Sequence, residues 1–172
     1  MNDGPSRVYG YVGPPELRST VRPDRAGRTI RSAADLDTWL SGRGAAEISE
    51  PFTFVVALDG LVRLAPRRSE HVACAGGADV LAAGEMGFVP AADRWAVDEV
   101  TNHSTGYCPN LDSWQAVGRA LDLAGVEHPG RFTHEVVFRL CDACGERSIV
   151  REQDFVCVFC GNALPRTWNA GP

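Results

Sequence analysis

Twice in the last third of the chain, two cysteines stand three positions apart with a glycine behind them. The first hook is Cys141-Asp142-Ala143-Cys144-Gly145 and the second is Cys157-Val158-Phe159-Cys160-Gly161, with twelve residues between the pairs. No other feature restricts the fold as strongly. Thiolates at this spacing reach one ion from a single tight turn, and the trailing glycine accepts the positive φ that closes it. Four of them select tetrahedral zinc, so Cys141, Cys144, Cys157 and Cys160 are the expected ligands. A four-cysteine shell is full and has no position left to activate a water. The expected cofactor is therefore a structural Zn²⁺.

Residues 141–160 resemble a zinc ribbon, and the resemblance implies these same four ligands. It brings no partner with it. The expected organisation is an α+β domain over residues 1–137, the ribbon over 138–164 and a tail over 165–172. Four thiolates around Zn²⁺ leave a double negative charge, which turn amides and Arg139, Arg147 or Arg151 are placed to offset. Trp168 is expected to fold back, since an exposed terminal indole is costly.

Six cysteines also permit a disulfide framework. Residues 1–20 are too polar for a signal peptide, and the longest apolar run, Phe52 to Leu58, is far too short to span a bilayer. The hooks are therefore read as metal ligands in a reducing, cytoplasmic setting, with Cys74 and Cys108 as free thiols. Net charge is -5, which argues against nucleic acid as a partner. All 17 basic side chains are arginine, which reads as the codon bias of a GC-rich bacterial genome.

Residues 1–7 read as a loose terminus and Val8 to Val12 as a short strand. Arg18 to Arg31 shows no period and reads as a surface loop. Ser32 and Asp35 cap a helix whose Leu36, Trp39 and Leu40 share a face, ended by Gly42. Thr53 to Leu58 and Leu61 to Leu64 flank Asp59-Gly60, a strong hairpin signal. Further strands are expected at His71 to Cys74, Val80 to Ala83, Met86 to Val89 and Trp95 to Val100. Asp112 and Gln115 suggest a capping box for a helix carrying Trp114, Val117 and Leu121, closed by Gly125. Glu135 to Leu140 leads into the first hook, and Ser148 to Val150 and Asp154 to Val156 are small strands between the hooks. The fold class is α+β: an antiparallel meander over residues 52–100 covered by two helices, then the ribbon.

The other unusual stretch runs from Val100 to Pro109, a polar loop between a strand and a helix. It resembles an Asn-x-Ser-Gly-His-Tyr-x-Pro signature that follows an Ala-Gly-Glu strand in bacterial toxin- and effector-associated domains. Ala83-Gly84-Glu85 supplies the first part, and Asn102, Ser104, Gly106, Tyr107 and Pro109 the second. Thr105-Gly106 stands where the pattern has Gly-His, and the resemblance implies no reaction. Two functional readings follow. The first is a zinc-stabilised bacterial binding or accessory protein with a cleft near residues 102–108 for a protein or small-molecule ligand. The alternative is a hydrolase or group transferase drawing on His71, Glu85, His103, Tyr107 and Cys108, with a Cys–His pair as nucleophile and base. Opposing it, each of these side chains also has an ordinary structural use.

Overall fold

The computed structural model describes residues 5–172; residues 1–4 of the expected loose terminus lie outside the described residues. Five strands form an antiparallel sheet in the order β1-β3-β2-β4-β5: β1 (Arg28–Ile30), β2 (Phe52–Ala57), β3 (Val62–Ala65), β4 (Val80–Ala91) and β5 (Arg94–Val100). The order follows from two hairpins. β2 and β3 close through Asp59-Gly60, where Gly60 has φ +82° and the Asp59 carboxylate accepts the Leu61 N–H at 3.0 Å. β4 and β5 pair directly, and β4 joins β2 on its free side.

β2 is central and buried along its whole length, which explains its largely apolar sequence; the one polar member, Thr53, donates its hydroxyl to the Ser69 carbonyl. Phe52, Phe54 and Val56 meet one layer with Leu36, Leu40, Met86, Val117 and Leu121. Val55 faces the opposite layer with Tyr9, Val72, Val80 and Tyr107. Helices α2 (Ala33–Ser41) and α5 (Trp114–Ala124) cover the first face. The Ser32 hydroxyl accepts the Asp35 N–H at 3.1 Å, and the Asp35 carboxylate accepts the Arg31 N–H at 2.8 Å, so both caps are used as the sequence suggests. Gly125, at φ +71°, ends α5.

Several local expectations are corrected. His71–Cys74 is a single helical turn, α4, because in four residues alternation and helical spacing look alike. Val80 to Val89 is one strand rather than two. Gly84 is no break in it: a Cβ there would overlap the Thr101 carbonyl, so glycine marks a close backbone approach. The stretch from Arg18 to Arg31 holds the end of helix α1 (Pro15–Ser19), a 3₁₀ turn and β1. A further short helix, α3 (Ala45–Ile48), lies between α2 and β2. Tyr9 makes only an isolated bridge to Val80. Asp112 does not cap α5; its carboxylate accepts the Tyr9 hydroxyl at 2.9 Å and lies 3.7 Å from Arg7.

Behind the sheet, β6 (Val137–Leu140) pairs antiparallel with β7 (Arg147–Val150). Asp154 to Val156 contributes isolated bridges rather than a strand. The C-terminal residues lie along this hairpin. Asn169 bonds both the N–H and the carbonyl of Leu140, and Trp168 donates its indole N–H to the Cys108 carbonyl at 2.9 Å, so the expected fold-back occurs.

Candidate metal centre and adjoining cleft

The two hooks have the same local structure. In the first, the Cys141 N–H bonds the Glu146 carbonyl and the Gly145 N–H bonds the Cys141 carbonyl, each at 2.8 Å. In the second, the Cys157 N–H bonds the Asn162 carbonyl and the Gly161 N–H the Cys157 carbonyl. Gly145 and Gly161 have φ +77° and +78°, the left-handed turn closure that the glycines permit. Each knuckle therefore aims two sulfurs at the other.

The four Sγ atoms lie within 4.8 Å of one another. Cys141 and Cys160 are 3.6 Å apart and Cys144 and Cys157 are 3.7 Å apart, far too long for S–S bonds. A tetrahedral ion held at about 2.3 Å from each thiolate separates its ligands by about 3.8 Å. The cage therefore fits one metal ion. Around it, Ser148 Oγ donates to Cys157 at 3.6 Å and Asn162 Nδ2 to Cys160 at 3.2 Å. Burial pushes the Cys157 thiol up, but the N–H groups of Cys160 and Phe159 and the Ser148 hydroxyl outweigh it and hold the group at about 6. Asn162, through its side chain and its backbone, holds Cys160 low.

Two of the arginines expected to balance the thiolates are engaged elsewhere. Arg139 donates to the Pro165 and Arg166 carbonyls, and Arg147 to the Ala170 and Gly171 carbonyls. These guanidinium groups fasten the C-terminal residues to the cysteine hairpin, while amides, Ser148 and Asn162 serve the sulfurs.

Beside the cage lies a cleft of about 660 Å³. Val12 to Pro14 and the loop residues Thr105 and Cys108 form one side of it. Phe138, β7 and the second knuckle's Val158 and Phe159 form the other. Val158 and Phe159 are 71% and 63% exposed, so the knuckle presents apolar surface that the ion does not need. Sequence reasoning placed a cleft near residues 102–108 but missed these walls. The signal available was a Val-Phe pair inside a metal knuckle, where burial in a core is not possible.

Of the five candidates, His71, Glu85 and His103 belong to segments that meet around Gly84 and Thr101, while Tyr107 and Cys108 lie in two separate buried clusters. His71 Nε2 lies 2.8 Å from the Gly84 carbonyl, and burial holds its pKa below the usual histidine value, with His103 adding repulsion. The Glu85 carbonyl accepts the Thr101 N–H, and the Thr101 hydroxyl accepts the N–H groups of both Glu85 and the exposed His103. Tyr107 is fully buried and donates to the Ala78 carbonyl at 2.7 Å. Cys108 is 2% exposed, its sulfur faces the Thr105 carbonyl at 3.5 Å, and burial pushes the thiol up to about 11. The hydrogen bonds of the Cys108 sulfur and the His71 ring thus run to separate backbone carbonyls, not to each other. Asn102, fully buried, bonds Val136 through both its oxygen and its nitrogen, at 2.7 Å each, and also the Pro109 carbonyl. It braces the loop against the start of the cysteine hairpin. Among the described residues, the buried Ser104 hydroxyl has no hydrogen-bond partner.

Comparison with protein-family models, with characterised proteins and with solved structures gives no match, so the likeness of residues 83–109 to the toxin- and effector-associated signature rests on those residues alone.

Proposed function

We propose that this chain is a zinc-stabilised binding protein: the cysteine cage holds a structural Zn²⁺, and the ion fixes one wall of a ligand cleft. One observation carries the reading. Gly145, Val158 and Phe159 line the cleft and belong to the two cysteine knuckles, and residues 12–14, Thr105 and Cys108 line it as well. Metal, knuckle and cleft are thus one construction. A full thiolate shell gives the ion no vacant position, so it supplies folding energy and an ordered surface, not Lewis-acid chemistry. The cleft is apolar over most of its surface and has charged groups at its rim, the usual make-up of a recognition site.

The test is metal analysis together with an environment-sensitive apolar dye. Purified protein should carry one zinc per chain and enhance the dye's emission, and chelation should abolish both. Cys144→Ser should reproduce chelation. Zinc-free protein with an intact dye response would overturn the reading.

A further inference from the structure

Five of the chain's arginines fall between Arg18 and Arg31, a segment with one acid, Asp24. That acid lies 3.7 Å from Arg22, and Arg18 donates to the Gly77 carbonyl. Three arginines remain. Arg25 ends the 3₁₀ turn, Arg28 opens β1 and Arg31 follows it. All three are exposed, and among the described residues none of their guanidinium groups makes an ion pair or a hydrogen bond.

Two hollows meet at Arg28. The first, of about 300 Å³, is lined by Arg25, Gly27, Arg28, Trp39, Arg43 and Ser69 among others, and none of its described lining residues is acidic. Arg43 is already balanced there, since it pairs with Glu47 at 2.8 Å and lies over the Trp39 ring. The second hollow, of about 370 Å³, continues along Arg28 and Thr29 to Arg31. Its one acid, Asp35, accepts the Arg31 N–H and stands at the start of α2. Ala26, Gly27 and Arg28 line both.

Arg63 on β3 adds a fourth charge behind them. Its Nε is buried without a hydrogen-bond partner, and among the described residues it forms no ion pair. A Cβ on Gly27 would lie 3.3 Å from the Arg63 Cβ, and one on Gly76 would lie 3.4 Å from the Ala26 Cβ and 4.0 Å from Arg63 Nη1. Arg63 therefore runs directly behind the Ala26-Gly27 segment that the hollows share. Concave surface backed by charge of one sign concentrates the potential of that sign.

We propose that the two hollows form a site for a diphosphate group on a small soluble molecule, one phosphate in each hollow and Arg28 between them. The site lies on the five-stranded body and is independent of the cysteine cleft. A guanidinium fork matches phosphate oxygens two at a time, and Arg28 borders both hollows, so it contributes most. Arg25 serves the first phosphate and Arg31 the second. Outside residues 18–31 acids outnumber arginines, so a long polyanion would meet repulsion where a compact one would not.

The experiment titrates full-length, zinc-loaded protein with inorganic pyrophosphate in chloride buffer, read by calorimetry. Saturable binding is expected. Arg28→Gln should weaken it about tenfold, and Arg28→Lys should recover part of the loss because it restores the charge without the fork. Arg131→Gln, which removes an exposed arginine that lines neither hollow, should change nothing. Melting midpoint and zinc content, unchanged in Arg28→Gln, show that the variant is folded. ADP binding as tightly as pyrophosphate assigns the site to diphosphate esters, and weaker binding assigns it to free pyrophosphate. No saturation, or binding indifferent to Arg28→Gln, overturns the proposal. Sulfate binding as tightly at equal ionic strength would also overturn it, by showing a site for one anion. So would an Arg28-dependent oligonucleotide that outcompetes pyrophosphate, which would assign the face to a nucleic-acid backbone.

Discussion

The five-stranded body and the cysteine hairpin behind it reach stability by different means. In the body, Leu40, Phe52, Phe54, Val56 and Met86 are fully buried in one continuous layer. Each such side chain contributes roughly 1.5–3 kcal/mol relative to exposure. The hairpin's own cluster has four buried members, Cys141, Val150, Cys157 and Leu164, and two of them are cage sulfurs. Too few apolar groups are available there for burial to fold it. A short segment in that position needs a staple, and a metal ion held by the four thiolates, as proposed above, would supply one. The contrast teaches why the hook spacing could be read so directly: coordination geometry is local in sequence, whereas a core is assembled from distant parts.

The sharpest way to break the comparison is to remove the ion. Structural zinc contributes on the order of 10–16 kcal/mol in small zinc-folded peptides. Chelation or Cys144→Ser should therefore cost β6 and β7 their amide protection, followed by hydrogen exchange, while β2 and β4 keep theirs. Equal loss throughout would show one cooperative unit. The converse change is Phe54→Ala. Its ring is fully buried, so about 3–5 kcal/mol should be lost and the melting midpoint should fall by roughly 10 °C. Zinc content below that midpoint should stay the same.

The same contrast explains what was legible beforehand. The hairpin at Asp59-Gly60, the Ser32 cap and the Gly125 stop depend on neighbours within a few residues, and each is found as expected. β1 was missed because nothing in Arg28–Ile30 marks it as a strand; its pairing with β3 does. α4 and the uninterrupted β4 were misread for a related reason, since Gly84 is explained only by Thr101 crossing over it. For the site, the four cysteines were visible; of the cleft, only the loop that supplies Thr105 and Cys108 was. Its lining comes from residues 12–14, Thr105, Cys108, Phe138, residues 145–149, Arg151 and residues 158–159, and no local pattern announces that they meet.

Asn102 lies at the seam between the two regions and gives the next largest effect. Asn102→Ala removes three hydrogen bonds and leaves buried groups of Val136 and Pro109 without partners, which should cost about 2–3 kcal/mol. If Asn102 couples the regions, the variant should expose the cysteine hairpin to exchange sooner while its zinc stays bound. A uniform drop in protection across β2 and β7 would place the residue's effect in the body alone.

The smallest effect separates the regions by pH. Burial raises the Cys108 thiol to about 11 and the Cys74 thiol to about 12, so both favour the folded state through their protonated forms. That contribution is complete below about 9 and fades as pH rises through the folded values. The cage responds in the opposite sense, because its sulfurs bind metal as thiolates and acid releases the ion. Alkali should therefore loosen the body at Cys74 and its seam with the cysteine hairpin at Cys108, while zinc stays bound. Cys108→Ala is expected to cost about 1 kcal/mol at pH 8, from the lost contacts of a small buried group. The gap from the unaltered protein should narrow at pH 10.5, where the native thiol begins to pay its own ionisation cost. Denaturant curves at the two pH values measure this directly. A gap that stays constant would mean the Cys108 sulfur is not held in the apolar pocket formed with Val136, Phe138 and Ala170.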